Sequence, residues 1–332
     1  MFERVRRLFK PTRGTKEAIT RRDFLRATGI SAAGIVGSAA LSSVATQLPA
    51  ATAVPPHGGQ VHTAADPMPA HGGNMTVGDV DTKRMGYDPS TFVTRFDRGR
   101  VSRLPNGRTL REFQIVAHDR EIEIAPGVFF PAWTFNGTVP GPTLRCTEGE
   151  RVRVKFINAG SHPHTIHFHG IHTAEMDGVP GVGPGEIAPG KSVTYEFDAI
   201  PFGLHLYHCH TLPLKRHIHK GLYGTFIIDP KQARPPAREL VMMMNAFDTN
   251  FDGENEVYAA NTVAFHYAKH PIRVQKGELV RVYLVNITEF DPINSIHIHG
   301  NFFHVYRTGT SLTTSEYTDT IMLGQAERSI LE

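Results

Sequence analysis

Arg151-Val152-Arg153-Val154-Lys155-Phe156 sets charged and apolar side chains in strict alternation, the period of a strand with one face buried and the other in water. Lys191-Ser192-Val193-Thr194-Tyr195-Glu196-Phe197 reads the same way. Turn signals stand around them at Pro140-Gly141-Pro142 and Pro189-Gly190, and no convincing amphipathic helix interrupts the pattern. Short strands with frequent turns predict an all-β chain of packed sandwiches.

The opening stretch also belongs to an internal repeat. Gly149-Glu150-Arg151-Val152-Arg153-Val154, then Asn158, then His167-Phe168-His169-Gly170 recurs as Gly277-Glu278-Leu279-Val280-Arg281-Val282, Asn286 and His297-Ile298-His299-Gly300. The repeat sets the domain count at two: one sandwich over residues 111–230, and a second over 237–332, after the Pro235-Pro236 linker. The second copy reads as C-terminally incomplete. Its counterpart of His208 would fall at about position 338 by the spacing of the first copy, and Arg328-Ser329-Ile330-Leu331-Glu332 matches the strand that begins at Lys191. The expectation is a truncated product or fragment, because missing strands would leave a core face and strand edges uncovered.

The 332 residues carry 19 His and a formal charge of +3. Residues 1–26 hold nine Arg or Lys against three acids, so the body is slightly acidic. With no basic stripe there is no electrostatic case for nucleic acid. The basic head runs into a small and apolar stretch from Ala27 to Ala45, and Thr20-Arg21-Arg22-Asp23-Phe24-Leu25-Arg26 resembles a twin-arginine signal. Residues 1–53 are therefore expected to be an export segment, which sends the protein to the periplasm, cell surface or medium; the alternative is an N-terminal membrane anchor. Residues 54–110 are rich in Gly, Pro, His and Met and read as a mobile extension whose His57, His62, Met68, His71 and Met75 could collect copper ions; the alternative is a polar linker in which these residues do nothing. An exported chain with two cysteines suggests a disulfide, but Cys209 stands between two histidines and has better use as a ligand, leaving Cys146 as a small strand residue.

His205-Leu206-Tyr207-His208-Cys209-His210, with His217 downstream, carries the chemistry. In extended chain, alternate side chains share a face. His208 and His210 then point one way and Cys209 the other; in His164-Thr165-Ile166-His167-Phe168-His169, likewise, His167 and His169 share a face that His164 does not. Two metal sites on opposite sides of adjacent strands follow. One would gather Cys209, His164 and His217, a thiolate with two imidazoles, the trigonal set of a blue copper centre. The other would gather paired imidazoles, which suit copper and not magnesium or calcium.

From Phe113 to Glu332 the chain resembles the multicopper oxidases, in particular their two-domain laccase-like members, on His164-x-x-His167-x-His169, His208-Cys209-His210 and His217-x-x-x-Gly221-Leu222. The resemblance implies cupredoxin-like Greek-key sandwiches. It implies type 1 copper on His164, Cys209 and His217, type 2 copper on His167 and His297, and type 3 copper on His169, His208, His210 and His299. It also implies a proton-delivering carboxylate at Asp177, for which a plain turn residue before Gly178 is the alternative. Because the cluster draws on both repeats, the resemblance implies a homotrimer with clusters between subunits.

The departures are specific. The Cys209–His217 spacing is longer than in the usual oxidase loop, which leaves His219 as a rival ligand. Leu222 stands where a weak axial Met often stands, and this predicts a high-potential site. Asn294 replaces the counterpart of His164, so electrons must enter through the first domain. Six trinuclear histidines are present, and the last two type 3 ligands are lacking. His172 and His304 lie off the motif register and read as supporting or surface residues. The implied reaction takes single electrons from a small molecule or metal ion and reduces O2 to water. The alternatives are a copper nitrite reductase, which would have an acid at position 167 and a small uncharged residue at 210, and a non-catalytic electron carrier or copper-binding protein.

Overall fold

Residues 78–332 are described by a computed structural model. The export-type segment and His57, His62, Met68, His71 and Met75 lie outside the described residues. After two single-turn helices, α1 (Thr82–Met85) and α2 (Pro89–Phe92), come β1 (Arg100–Arg103), β2 (Thr109–Ala125), β3 (Val128–Phe135), β4 (Leu144–Thr147), β5 (Arg151–Asn158), β6 (His167–Phe168), β7 (Ser192–Asp198), β8 (Gly203–His208), α3 (Leu214–His219) and β9 (Tyr223–Asp229). The chain continues through β10 (Arg238–Phe247), β11 (Val257–Ala260), α4 (His266–Lys269), β12 (Val280–Asn286), β13 (Ile293–His297), β14 (Phe303–Arg307), β15 (Glu316–Thr318), β16 (Thr320–Gly324) and β17 (Arg328–Leu331). Among the described residues no helix is long and apolar enough to cross a membrane.

In the first repeat one sheet runs β1-β2-β5-β7 with β3 on β2, and the facing sheet runs β4-β9-β8-β6. The alternation read from Arg151–Phe156 is the burial pattern of β5, whose valines and Phe156 enter a core with Phe135, Phe168, Tyr195, Phe197 and Phe226. Cys209 and Leu222 lie in the same core. In the second repeat the large sheet runs β11-β10-β12-β17-β14-β15, beside a β13-β16 pair. Here β10 and β12 are covered on both faces. Val241, Met243, Tyr283 and Val285 pack toward the first repeat with Leu204, Leu206 and Ile227, while Leu284 turns to an inner core with Phe303, Ile321 and Leu323. A strand buried on both sides carries apolar runs in place of alternation, as Leu240–Met244 does.

The repeat has a structural counterpart in a pair of matching buried asparagines, Asn158 and Asn286. Asn158 Nδ2 donates to the carbonyls of His162 and Ile187; Asn286 Nδ2 donates to those of Pro292 and Leu323. Each clamps the loop that leads into a histidine pair. β17 pairs antiparallel with β12 as β7 does with β5, so to Glu332 the second copy is built as far as the counterpart of β7.

Two readings need correction. The extension is not unstructured to residue 110: α1, α2 and β1 occupy its last part, Met85, Tyr87 and Phe92 are buried, and Tyr87 Oη donates to the Val139 carbonyl at 2.7 Å. Three scattered apolar anchors give no period, yet they hold the segment once a groove receives them. α3, absent from the sequence reading, is six residues long, too short to show a helical period.

Candidate metal centre

β6 pairs antiparallel with β8, setting His167 opposite His208 and Phe168 opposite Tyr207. Just past the strand, Cys209 N donates to the Leu222 carbonyl, and the thiol turns to the side away from His208. There Cys209 Sγ lies 3.2 Å from His217 Nδ1 and 3.9 Å from His164 Nδ1, with the two nitrogens 3.3 Å apart. The centre of that triangle is roughly 2 Å from each atom, a first-row metal–imidazole bond length. All three residues are buried. Burial pulls His164 down to about 3 and His217 to about 4, which keeps both rings neutral and open to a metal. Burial also pushes the Cys209 thiol up, so a cation must stabilise the thiolate. The donor set fits copper.

Thr165, which the sequence reading did not single out, links this pocket to the other side. Its N–H donates to Cys209 Sγ at 3.3 Å, and its Oγ1 accepts from His210 N at 2.9 Å. Leu222 is fully buried, accepts one backbone bond from Cys209 and donates one to His217. The rival ligand His219 faces elsewhere: its Nε2 accepts from Asp248 N at 2.8 Å, and its ring packs on Phe130, Phe251 and Phe290. α3 explains the difference, since it turns His217 and His219 to different sides.

On the opposite side His167, His169 and His208 form a second ligand group. His169 Nε2 and His208 Nε2 are 2.8 Å apart, a distance a metal between them would widen. His208 Nδ1 lies 2.8 Å from the Cys209 carbonyl, and His167 Nδ1 the same distance from that of Asp177. Donating there, both rings leave Nε2 for a metal. Burial holds His169 at about 2 and His208 at about 3. His210 sits with its ring 5.3 Å from that of His167 and its Nδ1 buried without a partner. Asp177 Oδ1 lies 3.0 Å from His167 Nδ1 and 3.2 Å from His172 Nε2, so His172 belongs to this polar group. His205 backs it, within 3.2 Å of the His169 carbonyl.

The second histidine pair stands apart. His297 and His299 are ring neighbours at 4.8 Å and exposed, and His297 Nδ1 lies 2.9 Å from the Asp319 carbonyl. Among the described residues they share no ligand group with the first cluster. His304 is exposed and packs on Tyr317; Cys146 is buried and free.

Two family models described as multicopper oxidase match residues 118–233 and 233–332. A solved multicopper oxidase is 59% identical, covers 76% of this chain and 89% of its own, and superposes with a TM-score of 0.75. The blue copper oxidase of Nitrosomonas europaea is 32% identical over 67% of this chain and 74% of its own, with a TM-score of 0.60. Among curated relatives, the copper-containing nitrite reductase of Neisseria gonorrhoeae is 30% identical over 61% of this chain. This chain spans 56% of that reductase's length. The fold, the thiolate–imidazole pocket and these matches agree: the chain belongs to the multicopper oxidase family, copper-dependent oxidoreductases.

Proposed function

We propose that this chain is a laccase-like oxidase that takes electrons one at a time at a type 1 site of His164, Cys209 and His217 and delivers them to a trinuclear site that reduces O2 to water. In that site His167 and His297 are type 2 ligands, and His169, His208, His210 and His299 are type 3 ligands. The observation that carries the reading is the back-to-back geometry. Cys209 serves one pocket while its neighbours His208 and His210 border the other, so a covalent path of a few bonds joins them. Copper, when bound, supplies the electron transfer and oxygen chemistry; the protein holds neutral imidazoles, excludes water from Cys209 and orients each ring. Asp177, within reach of His167 and His172, is placed to hold a proton for delivery to oxygen.

The exposed second pair supports a shared cluster. On the β13–β16 sheet the outward residues include Ile293 and Met322, both 67% exposed, and His297. An apolar face carrying ligands fits a partner subunit, and we place the cluster between copies of a homotrimer. The twin-arginine-type head supports export of the folded, metal-loaded protein. The electron donor is a small molecule or metal ion.

Similarity to nitrite reductases supports a second reading. His167 and the half-buried His210 count against it, since a single-copper reducing site has no use for either. Copper-loaded full chain is expected to be blue and to take up oxygen with a phenolic reductant; nitrite consumption without oxygen uptake would establish the second reading instead.

A further inference from the structure

The short helix α4 sets two imidazoles one turn apart: His270 N donates to the His266 carbonyl at 2.8 Å, and the two rings lie 4.8 Å from each other. Side chains at that spacing stand on one face of a helical turn. The segment at 79–90 sets oxygen donors opposite them. His270 Nε2 lies 2.9 Å from Asp79 Oδ1, while His266 Nε2 lies 2.7 Å from Ser90 Oγ and 3.9 Å from Asp88 Oδ1. These five side chains line a cavity of about 260 Å³ together with Lys269, whose ammonium donates to the Gly78 carbonyl. None of them belongs to either ligand group of the first repeat.

We propose that these residues form a further metal site, which takes one divalent first-row cation, zinc(II) or copper(II), between α4 and the segment at 79–90. Two imidazoles with two carboxylates are a donor set for these ions, whereas magnesium and calcium take oxygen ligands. The donors differ in how far each is already placed. His266 is 7% exposed, and burial holds it below the ordinary imidazole value, so its ring is neutral; with Ser90 donating, Nε2 carries the lone pair that a cation takes over. Asp88 caps α2 through Oδ1, which accepts from Ser90 N at 2.8 Å, and this leaves Oδ2 for the ion. The side chains of His270 and Asp79 are 43% and 63% exposed, so both are free to turn from each other onto an ion held at His266. Loading exchanges these hydrogen bonds for coordination and releases the proton of a ring nitrogen that ligates. The carboxylates come from the segment ahead of the first sandwich and the imidazoles from the second repeat, so the ion ties one to the other.

The test uses copper-loaded full chain, incubated with zinc chloride and desalted, with zinc and copper counted per chain by elemental mass spectrometry. The parent is expected to gain zinc while its copper and blue band stay unchanged. Its thermal midpoint should rise with zinc, since an ion bound by the folded chain alone stabilises it. His270→Gln and His266→Gln should each carry one zinc fewer than the parent and lose that rise. Should the change at buried His266 prevent folding, the variant at exposed His270 decides the matter. Zinc taken up by His57, His62 and His71 is common to parent and variants and cancels in the difference. Equal zinc in parent and His270→Gln, or zinc gained only as copper is lost, overturns the site. Oxygen uptake plays no part in the readout, so the outcome is independent of the oxidase reading.

Discussion

Leu222 fills the place beside Cys209 with a side chain that cannot ligate, and the backbone bonds on either side of it fix where that side chain sits. Without an axial thioether the cuprous state gains relative stability. Leu222→Met should therefore lower the type 1 potential in a spectroelectrochemical titration; an unchanged or higher value contradicts the axial placement. Thr165 gives a second prediction. Thr165→Val removes the acceptor of a part-buried N–H of His210, a loss of about 1 kcal/mol, read as a lower midpoint in chemical denaturation. The variant should keep its blue colour, because the shorter bond to Cys209 Sγ, at 3.3 Å, comes from the Thr165 backbone and the hydroxyl lies 4.0 Å away. That Cys209 and His164 take one side and His167, His169 and His208 the other was legible in the sequence, because alternation in extended chain fixes which side each ring takes. Thr165 was not, since no motif says what a threonine between histidines will touch once strands pair.

At the scale of elements, the His217 loop depends on how α3 ends. Gly221 has φ +111°, and a Cβ there would meet Val139 Cγ2 at 2.5 Å and the Trp133 carbonyl at 2.9 Å. Gly221→Ala must shift the chain between His217 and Leu222, so the blue absorption of the copper-loaded variant should weaken or vanish; a parent-like spectrum would show that the loop yields without moving its ligand. Strand alternation made the first sandwich readable, because one face of β5 is core and the other is not. The strands β10 and β12 gave a weaker signal since the first repeat covers their second face. The helices α1 to α3 were illegible for a different reason: at four to six residues each exists through what it packs against.

For the whole molecule, acid and assembly are the two levers. His164, His205, His208, His217 and His219 are held by burial at about 3 to about 4, below the ordinary imidazole value. Unfolding returns them to about 6.5, so the unfolded chain binds more protons below that pH. Stability of the copper-free protein is then full above about 6.5 and falls as pH drops toward 4; a thermal midpoint that stays flat over that window would contradict neutral buried rings. Assembly tests the proposed shared cluster. His167, His169 and His208 form one ligand group with His210 beside it, while His297 stands at the end of β13 on the side that exposes Ile293 and Met322, with exposed His299 just beyond the strand. In the proposed homotrimer the two sets cooperate across a subunit boundary. Changing both Ile293 and Met322 to Glu puts like charges on that face and spares every ligand. Light scattering should fall from three chains to one and oxygen uptake should disappear, while the blue band, held within one chain, persists. A parent protein that scatters as a monomer yet takes up oxygen would show that the cluster is not shared between subunits.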